Sequence, residues 1–485
     1  MPDFDVLVLG GGPAGVNAAL AASAAGLKVA LFDENPAAGG QVYRDPVYRA
    51  PISSAIPPTG DLQQGDTLRH ELDQSAVITY FNHVVWAVTA DYRVDAAGPA
   101  GPVHCSGRAL IVATGTTERV VPFDGWTTPG VIGLAAATIL LKSQGILPGR
   151  STLVAGCGPL LAAVAAKIIE GGGKVEAIAD IAGVGDWGRT LPAMVSRPDL
   201  MREGFHWVRE IWSAGVPTLS RHTLVKVEQA HDGLHATLAP CDAAGRPIAG
   251  KQRSVVADCI AVGHGLTPSS EITRLLRAEH RYSRQAGGWI AVADQDGRTS
   301  RPRLYVAGDG AGIAGAAAAG HHGTLAGLAC AIDLGTHLGT HLGTDAAQLR
   351  SRVPAARQAH AKAARFGRSM AQLMALRPGH TDSIEPQTIV CRCEDVTRAE
   401  IDAACDAGAH DMNQLKAWTR CGMGPCQGRT CGDVAAELLA ARVHGGSRER
   451  AGCLSARTPL RPMTVEALTG NFSYDDIPIP MAAPL

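Results

Sequence analysis

Residues 4–34 read FDVLVLGGGPAGVNAALAASAAGLKVALFDE. The apolar run FDVLVL predicts a buried strand, the glycines a turn, the Ala-rich stretch after them a helix, and LKVALFDE a second strand, which together make one βαβ unit. Gly10, Gly12 and Gly15 satisfy G-x-G-x-x-G directly after the strand, with Pro13 and Ala14 opening the helix. In such a motif Gly10 permits the tight turn, Gly12 lets a pyrophosphate approach the backbone and Gly15 lets helix and strand pack closely. The helix N-terminus then faces the negative charge. The second strand ends at Asp33 and Glu34, about 20 residues on, where a carboxylate can accept both hydroxyls of an adenosine ribose.

A second βαβ unit spans 151–180, from STLVAG to KVEAIAD. Its turn, Gly156-Cys157-Gly158-Pro159-Leu160-Leu161, puts Leu161 where the third glycine belongs, which pushes the helix off the strand and distorts the phosphate site. Asp180 would favour the free ribose of NAD over NADP. Two readings stay open: an NAD site, or a vestigial domain that binds no nicotinamide. Between and after the units, RALIVATGTTERV (108–120), DCIAVGHGLTPS (258–269) and RLYVAGDGAGIAGA (303–316) read as strands where the chain leaves and re-enters the first domain. The fold class is α/β.

Of twelve cysteines, six stand between 391 and 431: Cys391, Cys393, Cys405, Cys421, Cys426 and Cys431. Cys391 and Cys393 form C-x-C and Cys426 and Cys431 form C-x4-C, two pairs that suit a 2Fe-2S cluster with two thiolates on each iron. A structural zinc is the alternative, although one-residue spacing departs from the usual two to four. Cys405 falls on a predicted helix as a core residue. No C-x-x-C occurs, so a thiol–disulfide relay at the first cofactor site is excluded.

At 485 residues, two or three domains are expected. Lys plus Arg number 44 against 45 Asp plus Glu, a formal charge of −1 that supplies no general attraction to nucleic acid or anionic lipid. The first residues carry no basic leader, and no uncharged apolar run reaches a membrane span. A cytoplasmic protein without a transmembrane segment is expected. The repeat GTHLGTHLGT (335–344) reads as a connector, 351–376 as a basic amphipathic helix, and the tail from 441 as a segment wrapping another domain or a partner. His321 and His322, adjacent on a helix, cannot jointly chelate.

The first fingerprint, with Ala113-Thr114-Gly115, the Gly-His-Gly stretch 263–265 and Tyr305-Val306-Ala307-Gly308-Asp309-Gly310, resembles the two-dinucleotide-domain flavoproteins of glutathione-reductase-like, Rossmann-like fold. The resemblance implies FAD in the first site, with Asp309 on the ribityl chain, and Ala113, Thr114, Gly115 and Gly308 around it. It also implies Gly40, Gln41 and Arg44, in the flavin-side loop GGQVYR, and Val84 as cofactor contacts. The stretch VCRCEDVTRAEIDAACDAGAHDMNQLKAWTRCGMGPCQGRTCG resembles a small helical, bacterioferritin-associated-ferredoxin-like 2Fe-2S domain. With VPFDGWTTPGV and AVGHGLTPS, it is similar to the FAD/2Fe-2S α subunits of opine oxidase, hydroxyproline dehydrogenase, hydrogen cyanide synthase and heteromeric sarcosine oxidase. Within that resemblance the Cys426/Cys431 pair keeps the family spacing and Cys421 is left as a packing residue.

The implied organisation is an FAD-binding domain in two parts (1–118 and 255–345) enclosing an NAD(P)-binding-like domain (119–254). A helical linker (346–388), the 2Fe-2S domain (389–440) and a C-terminal tail (441–485) follow. The implied function is electron transfer within a heteromeric amine or amino-acid (opine-type) dehydrogenase or oxidase. C–N oxidation would lie on a β partner that is an FAD-dependent amine or amino-acid oxidase, with an FMN at the subunit interface, a one-electron acceptor and a small third subunit. A stand-alone NADH-dependent reductase and a non-catalytic scaffold are the alternatives; no catalytic residue is assigned.

Overall fold

Phe4–Leu9 pairs in parallel with Val29–Phe32 on one side and with the second half of Gly101–Val112 on the other. The computed structural model describes residues 2–47, 60–338 and 346–469. Val6, Leu7 and Val8 are buried on both faces, as expected for a parallel sheet covered on each side. Ile78–Tyr80 extends the sheet at one edge and Leu304–Val306 adds to Gly101–Val112. The first half of that long strand pairs instead with Arg93–Gly98, which returns to Val84–Val88 as an antiparallel extension.

The helix Pro13–Ala24 packs on this sheet and against the helix Ala316–Leu338, which itself reaches the sheet through Asp333 and the Tyr305 hydroxyl. Small residues set that spacing: a Cβ on Gly323 would lie 1.9 Å from the Ala14 carbonyl oxygen, and one on Gly327 2.4 Å from that of Ala18. The abundance of Ala and Gly in both segments therefore reflects helix approach.

A second sheet runs in the order Thr218–Ser220, Lys174–Asp180, Ser151–Gly156, Cys259–Gly263, Val131–Gly133, all parallel. Beside it stands an antiparallel layer, His222–Ala230, Gly233–Pro240 and Arg253–Ala257. The chain passes between the two sheets along Thr116–Glu118 and Leu266–Pro268, which pair antiparallel.

The basic helix spans Ala346–Leu373, starting earlier and ending sooner than its sequence pattern implied, with Pro354 inside it. The expected connector 335–344 begins within the end of Ala316–Leu338, and its remainder lies outside the described residues. No helix among the described residues is long and apolar enough to cross a membrane.

The cysteine-rich segment forms a small unit: Ile389–Cys391 against Val396–Thr397, then helices Arg398–Asp406, Met412–Thr419 and Gly432–Val443. Thr397 with Glu400, and Asp411 on the amides of Asn413 and Gln414, cap the first two helices. Ile401, Cys405, Leu415, Val434 and Leu439 make its core.

Buried charge fastens this unit to the flavin-type body. Asp433 and Glu437, one turn apart, meet Arg119 (2.8 Å), Arg284 (2.9 Å) and Arg448 (2.6 Å to Glu437). Arg448, 2 % exposed, also reaches Asp433 and lies 4.7 Å from the Tyr282 ring. Removing one member of a buried network strands the others. Arg448→Met is expected to cost about 3–5 kcal/mol of stability, read as a lower midpoint in chemical denaturation; an unchanged midpoint would show that Arg119 and Arg284 suffice.

Residues after the last helix of this unit run back along the first domain. The Leu460 amide donates to the Trp86 carbonyl at 2.7 Å and Arg274 donates to the Leu454 carbonyl at 2.7 Å. The part of the tail after residue 469 lies outside the described residues.

Candidate cofactor sites

The first glycine turn sits at the C-terminal edge of the first sheet, the position at which parallel α/β sheets bind ligands. A Cβ on Gly10 would lie 2.3 Å from the Ala113 carbonyl oxygen and one on Gly15 1.7 Å from that of Gly10, so both glycines are fixed by close backbone approach. Gly12 differs. A Cβ there would meet only the Gly40 Cα, at 3.7 Å, and Gly12 faces an open cleft with Gly10, Pro13 and Ala14.

Asp33 and Glu34 line the same cleft. Asp33 is held in place by donors: the Gly11 amide on Oδ2, and the Asn35 amide and side chain on Oδ1, both at 2.7 Å. The loop carrying Gly40, Gln41 and Arg44 hangs over the turn through Gly39 N–H to the Gly11 carbonyl, and Arg69 donates to the carbonyls of Ala38 and Tyr43 to hold it. Gly40 and Gln41 line the cleft, whereas Arg44 turns to Gln41 Oε1 at 2.9 Å.

Ala113, Thr114 and Gly115 form the opposite wall; Thr114 Oγ1 donates to the Ser269 carbonyl at 3.0 Å. Asp309 closes one end, its Oδ1 accepting the amides of Ala314 (2.8 Å) and Gly315 (3.0 Å), while burial raises its pKa. Next to it Gly308 adopts φ +70°, and a Cβ there would lie 2.7 Å from that of Ala14. Apart from Val84, the residues expected at this cofactor thus converge on the turn or support it from separate stretches of chain; beside Val84 the wall is formed by its neighbours His83 and Val85. Sequence reasoning missed Leu460 and Arg461, which cover the cleft from the C-terminal tail, with Arg461 3.7 Å from Glu34. An open glycine turn with a ribose-type carboxylate at one end and a second carboxylate at the other fits a dinucleotide of the FAD kind.

His322, which sequence reasoning excluded as half of a chelating pair, is buried and accepts the Gly308 amide through Nδ1 at 3.1 Å.

In the cysteine unit, the strand end delivers Cys391 and the start of the helix Gly432–Val443 delivers Cys431. Their sulfurs and that of Cys421 lie within 4.8 Å of one another, and Cys421 Sγ is 3.8 Å from Cys431 Sγ. Cys426 lies next to Cys431 and Cys393, whose thiols lower its pKa. Gly424 makes room for this: a Cβ there would lie 2.3 Å from the Cys393 Cβ. Thiol donors from Cys421 and Cys431 pull Cys391 down to about 2, the Cys431 donor pulls Cys426 down to about 4, and Cys431 itself is pushed up. Protons shared within one knot of sulfur are what a soft cation displaces. The tight group therefore holds Cys391 and Cys431, one from each of the C-x-C and C-x4-C pairs, together with the fully buried Cys421, whereas Cys393 and Cys426 lie at its edge, outside the 4.8 Å group. The fit is to a thiolate-bound metal group.

Arg429 connects the two sites. Its Nη1 donates to the Cys426 carbonyl at 3.0 Å, its Nε to Glu271 at 3.0 Å, and its Nη2 to the Leu460 carbonyl. Glu271 and Leu460 are both walls of the dinucleotide cleft.

Known proteins similar to this chain share both parts. Residues 4–323 match the pyridine nucleotide-disulphide oxidoreductase family and residues 385–471 the sarcosine oxidase A3 domain. The A subunit of opine oxidase from Agrobacterium tumefaciens is 33% identical over 96% of this chain and 91% of its own length. The HcnB subunit of hydrogen cyanide synthase from Pseudomonas aeruginosa is 31% identical over 95% of this chain and 97% of its own. The crystal structure of L-proline dehydrogenase from P. horikoshii superimposes with a TM-score of 0.65 at 17% identity, covering 96% of this chain and 79% of that one, a likeness of fold. With its glycine turn, its thiol knot and a relative matched along almost its whole length, the chain belongs to the pyridine nucleotide-disulphide oxidoreductase family of flavoproteins and, within it, to the group that includes the opine oxidase A subunits.

Proposed function

We propose that this chain is the electron-transfer subunit of a heteromeric oxidoreductase that oxidises the C–N bond of an amine or amino acid of opine type. The chain would hold FAD in the first cleft and a 2Fe-2S cluster on Cys391, Cys393, Cys426 and Cys431, while a partner flavin subunit performs the C–N chemistry. The observation that carries this reading is the Arg429 bridge, which joins the Cys426 loop directly to Glu271 and Leu460 in the cleft wall. A flavin accepts electrons in pairs and releases them singly, and an iron–sulfur cluster takes one at a time, so adjacent sites suit relay to a one-electron acceptor.

The chain's own residues have binding and insulating work in this scheme. Asp33 and Asp309 anchor opposite ends of the dinucleotide, Gly12 leaves room for its pyrophosphate, and Leu460 and Arg461 cover it. Cytoplasmic location, an interface FMN and a small third subunit belong to the same reading, supported by the family resemblance.

The test is reconstitution. Purified alone, the chain is expected to hold FAD and iron yet to remain oxidised when an opine is added without air. Adding the partner subunit should then bleach the flavin spectrum. Bleaching by the opine without a partner would place C–N oxidation on this chain and overturn the proposal.

A further inference from the structure

The second glycine turn is filled by the protein itself. Gly158 stands where Gly12 stands in the first turn, but a Cβ on Gly158 would lie 2.6 Å from both Cγ and Sδ of Met374. The space beside the glycine that a pyrophosphate needs is therefore already taken by a side chain. Met374 also crosses the neighbouring strand end: a Cβ on Gly265 would meet the Met374 carbonyl oxygen at 3.0 Å. Cys157, inside the turn, donates its thiol hydrogen to the Leu373 carbonyl at 3.4 Å.

The ribose end is closed as well. Asp180, at the end of its strand, is 9% exposed. Its Oδ1 accepts the Ala182 amide at 2.8 Å and its Oδ2 the Trp187 indole N–H at 2.9 Å. Met370, Leu373, Met374 and Phe366 pack with Trp187 and Cys157 into one apolar cluster over the cradle. The segment is latched at its C-terminal end: Arg377 donates to Asp186 at 3.0 Å, Arg284 to the Leu376 carbonyl at 2.9 Å, and the Gly379 amide to the Ala244 carbonyl at 2.9 Å.

We infer that residues 366–379 are a built-in plug of the second dinucleotide cradle, so that this domain of the chain takes no NAD(H) or NADP(H). The residues present do not fit a nicotinamide dinucleotide, because Met374 occupies the place of its pyrophosphate and Asp180 is buried beside the same cluster, whereas Asp33, whose oxygens also accept protein donors, still lines an open cleft. Electrons therefore do not enter through this domain. The inference stands on this packing and is independent of which substrate the partner oxidises.

Two measurements on the full FAD-loaded chain test it. Hydrogen exchange of the free chain should find the amides of 370–375 and Gly379, which all have backbone acceptors, protected; rapid exchange at these amides would show that nothing is seated there. Calorimetric titration with NAD+ and, without air, with NADH should give no saturable heat, and NADH should leave the flavin oxidised. Saturable binding accompanied by new protection at 151–161 would overturn the plug.

Discussion

Gly12→Val is expected to yield a folded chain that purifies without FAD. A Cβ at this position meets only the Gly40 Cα, at 3.7 Å, so the apo fold has room for the side chain. The branched methyls enter the cleft where the pyrophosphate approaches the backbone. FAD affinity should fall more than about 100-fold, ~2.7 kcal/mol or greater, read as the ratio of released flavin to protein. Gly15→Val is the contrasting case, because its Cβ would lie 1.7 Å from the Gly10 carbonyl oxygen and the unit itself should fail to fold. Full FAD content in soluble Gly12→Val protein would remove the first turn from the flavin site.

Cys391→Ser is expected to abolish the cluster while leaving FAD in place. Cys391 is buried with its sulfur within 4.8 Å of those of Cys421 and Cys431, and a serine oxygen is a harder donor at a site built for soft metals. Iron should fall from about two per chain to near zero. The flavin unit has its own core, so its spectrum should persist. Cys421→Ser should keep its iron, since the C-x-C and C-x4-C pairs already supply four thiolates. Loss of iron from Cys421→Ser, with retention in Cys431→Ser, would move the ligand role to Cys421. One zinc and no iron in the wild-type chain would replace the cluster altogether.

The first βαβ unit was legible in the sequence because everything it needs is local: six strand residues, three glycines at fixed spacing and a carboxylate at the end of the next strand. The C-x-C and C-x4-C spacings are local in the same way, but which sulfurs come together is not: Cys391 and Cys431 meet Cys421, which belongs to neither pair. What could not be read was contact between distant segments. Nothing in Gly156-Cys157-Gly158 indicates that Met374 will lie on it, and the Leu at position 161 gave only a weakened motif that left two readings open. Nothing in the tail marks Leu460 as a cleft wall, because its partner, the Trp86 carbonyl, is a backbone group without a sequence signature. Cys421 was read as a packing residue beside the ligands. Its 3.8 Å approach to Cys431 depends on the loop between them, where Gly422 (φ +87°) and Gly428 (φ +79°) turn the chain back on itself.

Charge in the protein follows a similar division. Net charge near zero supplies no general attraction to a polyanion, but the inward-facing Asp433 and Glu437 look from sequence like an ordinary exposed helix face. They are instead the buried fastening of the cysteine unit, matched by arginines from positions 119, 284 and 448.

In the proposed scheme electrons reach the thiol-bound group through the flavin cleft beside it. Electron paramagnetic resonance of the reconstituted complex, frozen after an opine is added without air, tests it most directly. The expected result is the spectrum of a reduced 2Fe-2S cluster in the wild-type complex and its absence from the complex carrying Gly12→Val, which keeps its iron but lacks FAD. A cluster reduced equally well in the Gly12→Val complex would contradict it, because the electrons would then have bypassed the first cleft.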